Sequence, residues 1–505
     1  MRTSIFAPGK TPDRFPSETK WVIGPGLRTA MLTAAVAVFT AVVLSGVPTS
    51  WMGWESTRII VVVIALFICL YLVLGSARSR LSYPKRAAFA FWAFLLVSER
   101  LFLREGSNEA EFQSHFSLAA YGEAIFWVLS LLILIVIWSG QPQSFRRLFS
   151  GHYKWVTFFG VSCLIACAYT PRPMFALAWT VKLWLVILLL QLCSGYLTDL
   201  RDVVSFLTFT CWATAFITLQ PVVLAFFGPS MFDEEGRLGT IVAADGLSEI
   251  AGILLLLALT LHSRNRGVGL RKAAVVLGIA GFVIMVLGGG KAAIIGGLVS
   301  GALFFLLRKG FSSSLGFTAV ALVVGCLLVF LSPVGRYLQD YGKTGGLTTF
   351  TGRTEFWAAV IPLGWQKPIL GHGYLAASFV AIQNPGFDWQ PNHMHNGFLE
   401  AFYNNGLTGL VLILMVHVII VYNLIRAIRR APPTHFRYQL AVGCLAVYAN
   451  LLIGGFFNAS FGGRAWSFFM LLLALVIVSE KLVNLESRPE LAEAQTAEIP
   501  DSSRT

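Results

Sequence analysis

Charge is what this sequence has least of. Of its 505 residues only 12% are Asp, Glu, Lys or Arg, about half of the roughly 25% that a soluble domain carries. So small a charged fraction cannot coat one globular surface or several, and a soluble enzyme of this length is excluded. Cysteine is scarce as well. The seven, Cys69, Cys163, Cys167, Cys193, Cys211, Cys326 and Cys444, all fall within apolar runs, where they act as small apolar side chains. No disulfide or metal framework follows from them. Alternating strands of about ten residues are missing too, which excludes a closed membrane barrel.

What the sequence does have is apolar length. Hydrophobic residues make up 56% of the chain, and the mean hydropathy is +0.71. A membrane-crossing helix needs about 20 mainly apolar residues. Runs of that kind, rich in Leu, Ala, Val and Phe, begin near Ala30, Ile59, Ala87, Leu118, Trp155, Met174, Val203, Leu247, Ala273, Ala292, Leu315, Thr408, Tyr438 and Ala465. Those at Trp155, Leu247 and Ala292 are short, so about 12–14 spans are expected. The predicted fold is all-α, a polytopic transmembrane helix bundle.

The net charge of +13 is a topology signal. Basic residues collect in alternate loops: Arg78, Arg80, Lys85 and Arg86; Arg146, Arg147 and Lys154; Arg264, Arg266, Arg271 and Lys272; Arg426, Arg429, Arg430 and Arg437. The intervening loops are acidic or mixed, with Glu99, Glu105, Glu109 and Glu111 in one and Asp233, Glu234 and Glu235 in another. Positive loops stay inside, so both termini are expected in the cytoplasm. No basic run is interleaved with stacking aromatics, and nucleic acid is not an expected partner. The polar stretch 1–28 reads as a cytoplasmic tail before an uncleaved signal anchor. Spans occupy 29–332 and 408–483, and the acidic, small-residue tail 484–505 is expected to be disordered.

One loop breaks the rhythm. Residues 333–407 contain no span and lie on the outer side of this topology. Long ordered loops are uncommon unless they carry function. This one holds Arg353, Glu355, Lys367, His372, His393, His395, Asn396 and Glu400 among aromatics such as Trp357, Trp365, Tyr374 and Phe402, so it reads as a folded cap on the membrane. A short amphipathic helix is predicted from Thr354 to Trp365. A second is predicted from His395 to about Gly406, with Phe398, Leu399, Phe402 and Tyr403 on its apolar face and Asn392 or Asn396 as caps. His395 would then stand at a helix N-terminus, whose dipole favours neutral imidazole, the form a general base requires.

Three stretches form an ordered set: Thr351-Gly352-Arg353-Thr354-Glu355-Phe356-Trp357, Pro368-Ile369-Leu370-Gly371-His372-Gly373-Tyr374, and His393-Met394-His395-Asn396-Gly397-Phe398-Leu399-Glu400, closing on Gly406-Leu407-Thr408-Gly409-Leu410. The set resembles the O-antigen ligase and polymerase family. Its Thr-Gly-Arg-Thr-Glu run is most similar to exopolysaccharide polymerases of the succinoglycan type. The resemblance implies a metal-independent, C-type glycosyltransferase with no cofactor. Such an enzyme moves a glycan from an undecaprenyl-pyrophosphate carrier to an acceptor sugar hydroxyl, at the periplasmic face of a bacterial inner membrane. It implies His395 as the base and Arg353 as a catalytic cation. Arg237, in an outer loop before a mid-chain span, matches a further family arginine, although the usual His-Pro-Asn continuation is replaced by Ala243-Ala244-Asp245-Gly246. Lys291 stands where the family has arginine after serine. Substrate contacts are expected from Lys291, Glu355, His372, His393 and Asn396. Partners implied are the lipid-linked oligosaccharide donor, the acceptor glycan and membrane lipids, with a flippase and a chain-length regulator as further candidates.

Simpler readings accompany each of these. The cations are ordinary interfacial residues in the plainest account, and His395 a structural cap. Three histidines in the loop raise a zinc site, but their irregular spacing does not establish convergent geometry. Gly288-Gly289-Gly290-Lys291 lacks the Ser or Thr and the preceding strand of a phosphate loop. Glu123, Lys182 and Glu249 lie within spans and are either pathway residues or bundle-stabilising partners. At the level of function, a ligase acting on lipid A-core is the neighbouring alternative. A polysaccharide-lipid transporter or flippase is the distant one, disfavoured by the absence of inverted repeats.

Overall fold

The computed structural model describes residues 82–101, 118–139, 144–225, 244–262, 268–309, 353–380, 393–457 and 461–485. The runs near Ala30, Ile59 and Leu315, residue Arg237 and both tails fall outside them. In chain order the helices are α1 (Tyr83–Leu101), α2 (Leu118–Ser139), α3 (Ser144–Leu148), α4 (Lys154–Ala166), α5 (Pro173–Tyr196), α6 (Leu200–Ala225), α7 (Ala244–His262), α8 (Val268–Leu287), α9 (Lys291–Lys309), α10 (Arg353–Gly364), α11 (Gly397–Arg429), α12 (Phe436–Phe457) and α13 (Ser467–Asn484). Among the described residues there is no strand. Helices α5, α6, α9, α11, α12 and α13 are long and apolar enough to cross a membrane, and α2, α4, α7 and α8 add shorter apolar stretches.

Local chemistry explains the ends. Pro173 opens α5, where its missing N–H is an orphan in any case. Asp199 accepts the N–H of Asp202 at 2.8 Å and so caps α6. Asp202 in turn meets Lys85 at 2.6 Å, tying α6 to α1. Within α6, the hydroxyls of Thr210, Thr214 and Thr218 bond back to carbonyls one turn earlier, which satisfies them inside an apolar bundle.

The bundle is buried at its centre and apolar outside. Helix α13 is enclosed along Phe468–Val478 by α11, α12 and α5. Large apolar side chains also point outward, among them Ile125, Leu132 and Val136 on α2, Val276 and Ile279 on α8, and Val411 and Val418 on α11. Apolar surface on that scale needs lipid around it, and the chain is an all-α polytopic membrane protein.

The described parts of the 333–407 loop have a small core of their own, in which Phe356, Val360, Ala376, Ala377, Val380, Met394 and Tyr403 pack together. What anchors this cap is a break in α11 at Gly406, whose φ of 65° and ψ of −160° are not helical. A break frees carbonyls on one side and N–H groups on the other. Segment 368–373 fills both needs. His372 and Gly373 donate their N–H groups to the carbonyls of Tyr403 and Asn404 at 2.8 and 2.9 Å, while Leu407 and Thr408 donate theirs to Pro368 and Ile369 at 2.7 and 3.3 Å. Gly371, with φ 74°, lies against Gly406 so closely that a Cβ on either would overlap the other's backbone.

Candidate functional site

The site forms where the start of α11, the start of α10, the end of α12 and residues 461–466 ahead of α13 meet. Asn396 is the N-cap of α11, its side-chain oxygen accepting from the N–H groups of Phe398 and Leu399 at 3.0 and 2.9 Å. Its amide also donates to the Phe456 carbonyl at 3.3 Å. Arg353, the first residue of α10, donates to the Phe457 carbonyl at 2.6 Å. Both residues therefore grip the last turn of α12, and Arg353 satisfies one of its orphan carbonyls.

His395 is not in the helix that the sequence predicts from that position. The helix begins at Gly397, and His395 sits one residue ahead of the cap in the left-handed region, φ 49°. A non-glycine residue held there costs on the order of 1–3 kcal/mol, so neighbours must define it. They do. The His395 N–H donates to Nδ1 of His393 at 3.1 Å, the two rings lie 3.8 Å apart, and the Met394 carbonyl between them takes the indole N–H of Trp357 at 2.8 Å.

Both imidazoles are partly buried and surrounded by positive charge. Burial first, then Arg464 and Arg353, push His393 down to about 3. Burial, His393 and Arg353 depress His395 further. Both rings are therefore neutral at physiological pH. Because Nδ1 of His393 accepts a hydrogen bond, its proton is on Nε2.

Two residues of this cluster stand outside the expected site. Arg464, in the turn before α13, is buried with its guanidinium over Phe175, Trp179 and Trp466 at 5.3, 5.8 and 5.4 Å. Glu400, in the first turn of α11, is also buried and interacts with Arg464 and the Met394 N–H. Its carboxylate rests on Gly463, where any Cβ would overlap it. Glu400 closes the His393–Glu400 stretch of the loop, whereas the signal for Arg464 is Phe461-Gly462-Gly463-Arg464, a glycine pair and a charge between two apolar runs.

The other expected residues are distributed. His372 stacks on Tyr403 at 4.4 Å, and its Nε2 bonds the Leu363 carbonyl at 2.8 Å. Burial lowers its pKa. Its ring is thus committed to holding the cap. Glu355 is exposed in the first turn of α10 and accepts from the Thr354 hydroxyl at 2.9 Å. Lys291 opens α9 beside Gly290, whose N–H donates to Ser248, at the joint between α8 and α9. Lys182 is fully buried in α5 over the rings of Trp127 and Trp179. No group of three His, Cys, Asp or Glu side chains fit to hold a metal occurs among the described residues.

This geometry can hold a neutral base beside two guanidinium groups at the end of a membrane bundle. The sequence is 23% identical over 298 residues to a provisionally named polysaccharide ligase of Rickettsia felis, a match covering 54% of this chain and 68% of that one. It is 31% identical over 104 residues to the exopolysaccharide production protein ExoQ of Rhizobium meliloti, covering 19% of this chain and 23% of that one. Residues 273–414 match the model of the O-antigen ligase family. The stretch that resembles this family contains Lys291, Arg353, the histidine pair and the Gly406 break.

Proposed function

We propose that the protein is a bacterial inner-membrane glycosyltransferase that extends a polysaccharide at the periplasmic face, without a metal ion. The donor is a glycan on an undecaprenyl-pyrophosphate carrier and the acceptor a sugar hydroxyl. The acceptor oxygen attacks the anomeric carbon, the bond from that carbon to the diphosphate oxygen breaks, the proton passes to His395, and the lipid diphosphate leaves with the electron pair. Arg353 stabilises the charge that grows on the leaving group, and its fork suits phosphate oxygens. Arg237 and Lys291 are the further cations of this reading.

The observation that carries it is His395, held by the His393 ring just ahead of the N-cap of α11, with Arg353 acting on it electrostatically. Taken alone, an imidazole so depressed is a weak base. A bound diphosphate, however, opposes the arginine charge and raises imidazole basicity, so donor binding prepares the base. Polymerase is favoured by the Thr351-Gly352-Arg353-Thr354-Glu355 run and by the relative named for exopolysaccharide production. The longer match to a relative named as a ligase favours the second reading, transfer of finished glycan to lipid A-core.

Purified protein in lipid nanodiscs, given undecaprenyl-pyrophosphate repeat units alone, is expected to produce a ladder at repeat-unit spacing that chelators leave unchanged. Transfer only when lipid A-core is added would replace polymerase with ligase. Silence with both acceptors would overturn the assignment.

A further inference from the structure

A second group of contacts joins the loop before α4 to the far end of α11, two helices that pack side by side. The ring of His152 meets that of Tyr422 edge-on, with 6.5 Å between centroids. Asn423 donates its amide to Nδ1 of His152 at 3.1 Å, so the loop is pinned to α11. Arg426 holds its guanidinium 5.9 Å from the centre of the same Tyr422 ring. Two residues beyond His152, Lys154 places its ammonium 5.4 Å from the ring of Trp155, which meets Phe158 at 6.1 Å. Along the helix Arg426 stands about 30 Å past the Gly406 break, so this patch lies at the membrane surface opposite the histidine pair.

We propose that the loop before α4 and the end of α11 form a binding site for an anionic phospholipid of the leaflet opposite the histidines. Arg426 and Lys154 take its phosphate, Tyr422 and Trp155 stand at head-group level, and its acyl chains lie along α11. The inference goes beyond glycan transfer and does not rest on it.

Positive charge is in excess here. Arg146 and Arg147 end the neighbouring α3, and Arg429 and Arg430 follow Arg426. No ion pair joins these four, Lys154 or Arg426 to an acid among the described residues. The Glu480 carboxylate, resting on Gly151, is the acid in contact with the loop. Helix capping accounts for only part of the charge. Cations in a last turn offset the helix dipole, which suits Arg426 and Arg429. Lys154, however, is the first residue of α4, where the same dipole opposes it, and an anion held beside it and Arg426 offsets that cost. Arginine offers a fork to phosphate oxygens, lysine a point charge, and Trp and Tyr settle at the level of lipid head groups. Basic pockets between membrane helices bind anionic head groups in this way. A lipid fits better than a soluble anion because the charges continue into an apolar strip. Val411, Leu414, Val418 and Tyr422 recur at helical spacing on α11, and all four are exposed.

The test counts lipid on the intact protein. Full-length protein is placed in phosphatidylcholine nanodiscs with an increasing share of phosphatidylglycerol, and the lipid it retains is identified by native mass spectrometry. Wild type should retain phosphatidylglycerol in preference to phosphatidylcholine, and its unfolding temperature should rise with the share. Arg426→Gln and Lys154→Gln should each weaken that retention about fivefold, the effect of one basic residue near an anionic surface, and about 25-fold together. Both side chains reach the surface, so neither change empties the core. Arg426→Lys should keep most of the retention. Lys272→Gln, which removes an exposed cation from α8, should leave it unchanged. Unselective retention by wild type, full retention by the double variant, or an equal loss in Lys272→Gln would overturn the proposal. So would equal stabilisation by inorganic phosphate in pure phosphatidylcholine, which would mean a site for soluble anions. Retention is read without turnover, so the transfer assignment can fail while this site stands, and the reverse.

Discussion

The guanidinium of Arg353 donates to the carbonyl of Phe457, 104 residues later, at 2.6 Å. One arginine thus closes the last turn of α12 and lends its charge to the histidine pair. Structural and chemical uses can be separated by substitution. Arg353→Ala is expected to lower transfer by about 10²–10³-fold, the cost of losing one donor to developing negative charge, and also to loosen the α10–α12 joint. Arg353→Lys keeps the charge and loses the fork, so its rate should fall between the two while the melting temperature stays near wild type. Initial rates and thermal unfolding in nanodiscs check both, and a fully active Arg353→Ala would reduce the residue to a cap.

His395→Ala should abolish detectable transfer, since a positioned base contributes about 10²–10⁴-fold, while the protein still inserts and binds donor. Gel analysis of products and donor retention on the reconstituted protein are the measurements. Wild-type turnover would take His395 out of the base role.

Acidification should weaken the fold before it titrates the pair. The unfolded chain binds protons on these histidines below the ordinary imidazole value, near 6.5, whereas folded His393 does so only near 3. Stability rises with pH wherever the unfolded state holds more protons. The contribution of His393 is therefore complete above pH 6.5 and declines progressively toward pH 3. Between pH 7 and pH 5 the unfolding temperature should drop by several degrees. Replacing His393 and His395 by Asn should flatten that slope, and an unchanged slope would mean that the rings are not held neutral.

Gly463→Ala should destabilise the protein, because the added methyl would overlap the Glu400 carboxylate. Forcing an atom into a packed site costs about 1–3 kcal/mol. Glu400→Gln leaves the side-chain volume nearly unchanged and should not relieve the clash, whereas Glu400→Ala in the same background should. Thermal unfolding of the three proteins distinguishes a steric effect from a charge effect.

Much of this is legible in the sequence. Uniform apolar runs announce helices because lipid permits little else, and the runs beginning near Ala87, Leu118, Met174, Val203, Tyr438 and Ala465 correspond to α1, α2, α5, α6, α12 and α13. Asn396 was readable as a cap because its side chain can accept from the next two N–H groups. The following helix starts two residues later than the sequence predicts: apolar periodicity is silent on a left-handed residue, and the bond that defines His395 comes from a neighbouring ring. Arg464, which shares its site with Glu400, is harder still. Sequence gives little warning that residues 64 positions apart share one buried site, and a single arginine between two spans looks like any interfacial charge.

The break at Gly406 also fixes a height. Beyond it, the helical run from Leu407 to Arg429 rises about 35 Å at 1.5 Å per residue, slightly more than the roughly 30 Å of a bilayer's hydrocarbon. The segment bearing the histidines is bolted to the top of that rod by the four hydrogen bonds of the 368–373 strap. The rod acts as a gauge: it sets how far above the opposite leaflet His395 stands, so a thicker or thinner bilayer would carry the lipid head groups past a side chain that cannot follow them.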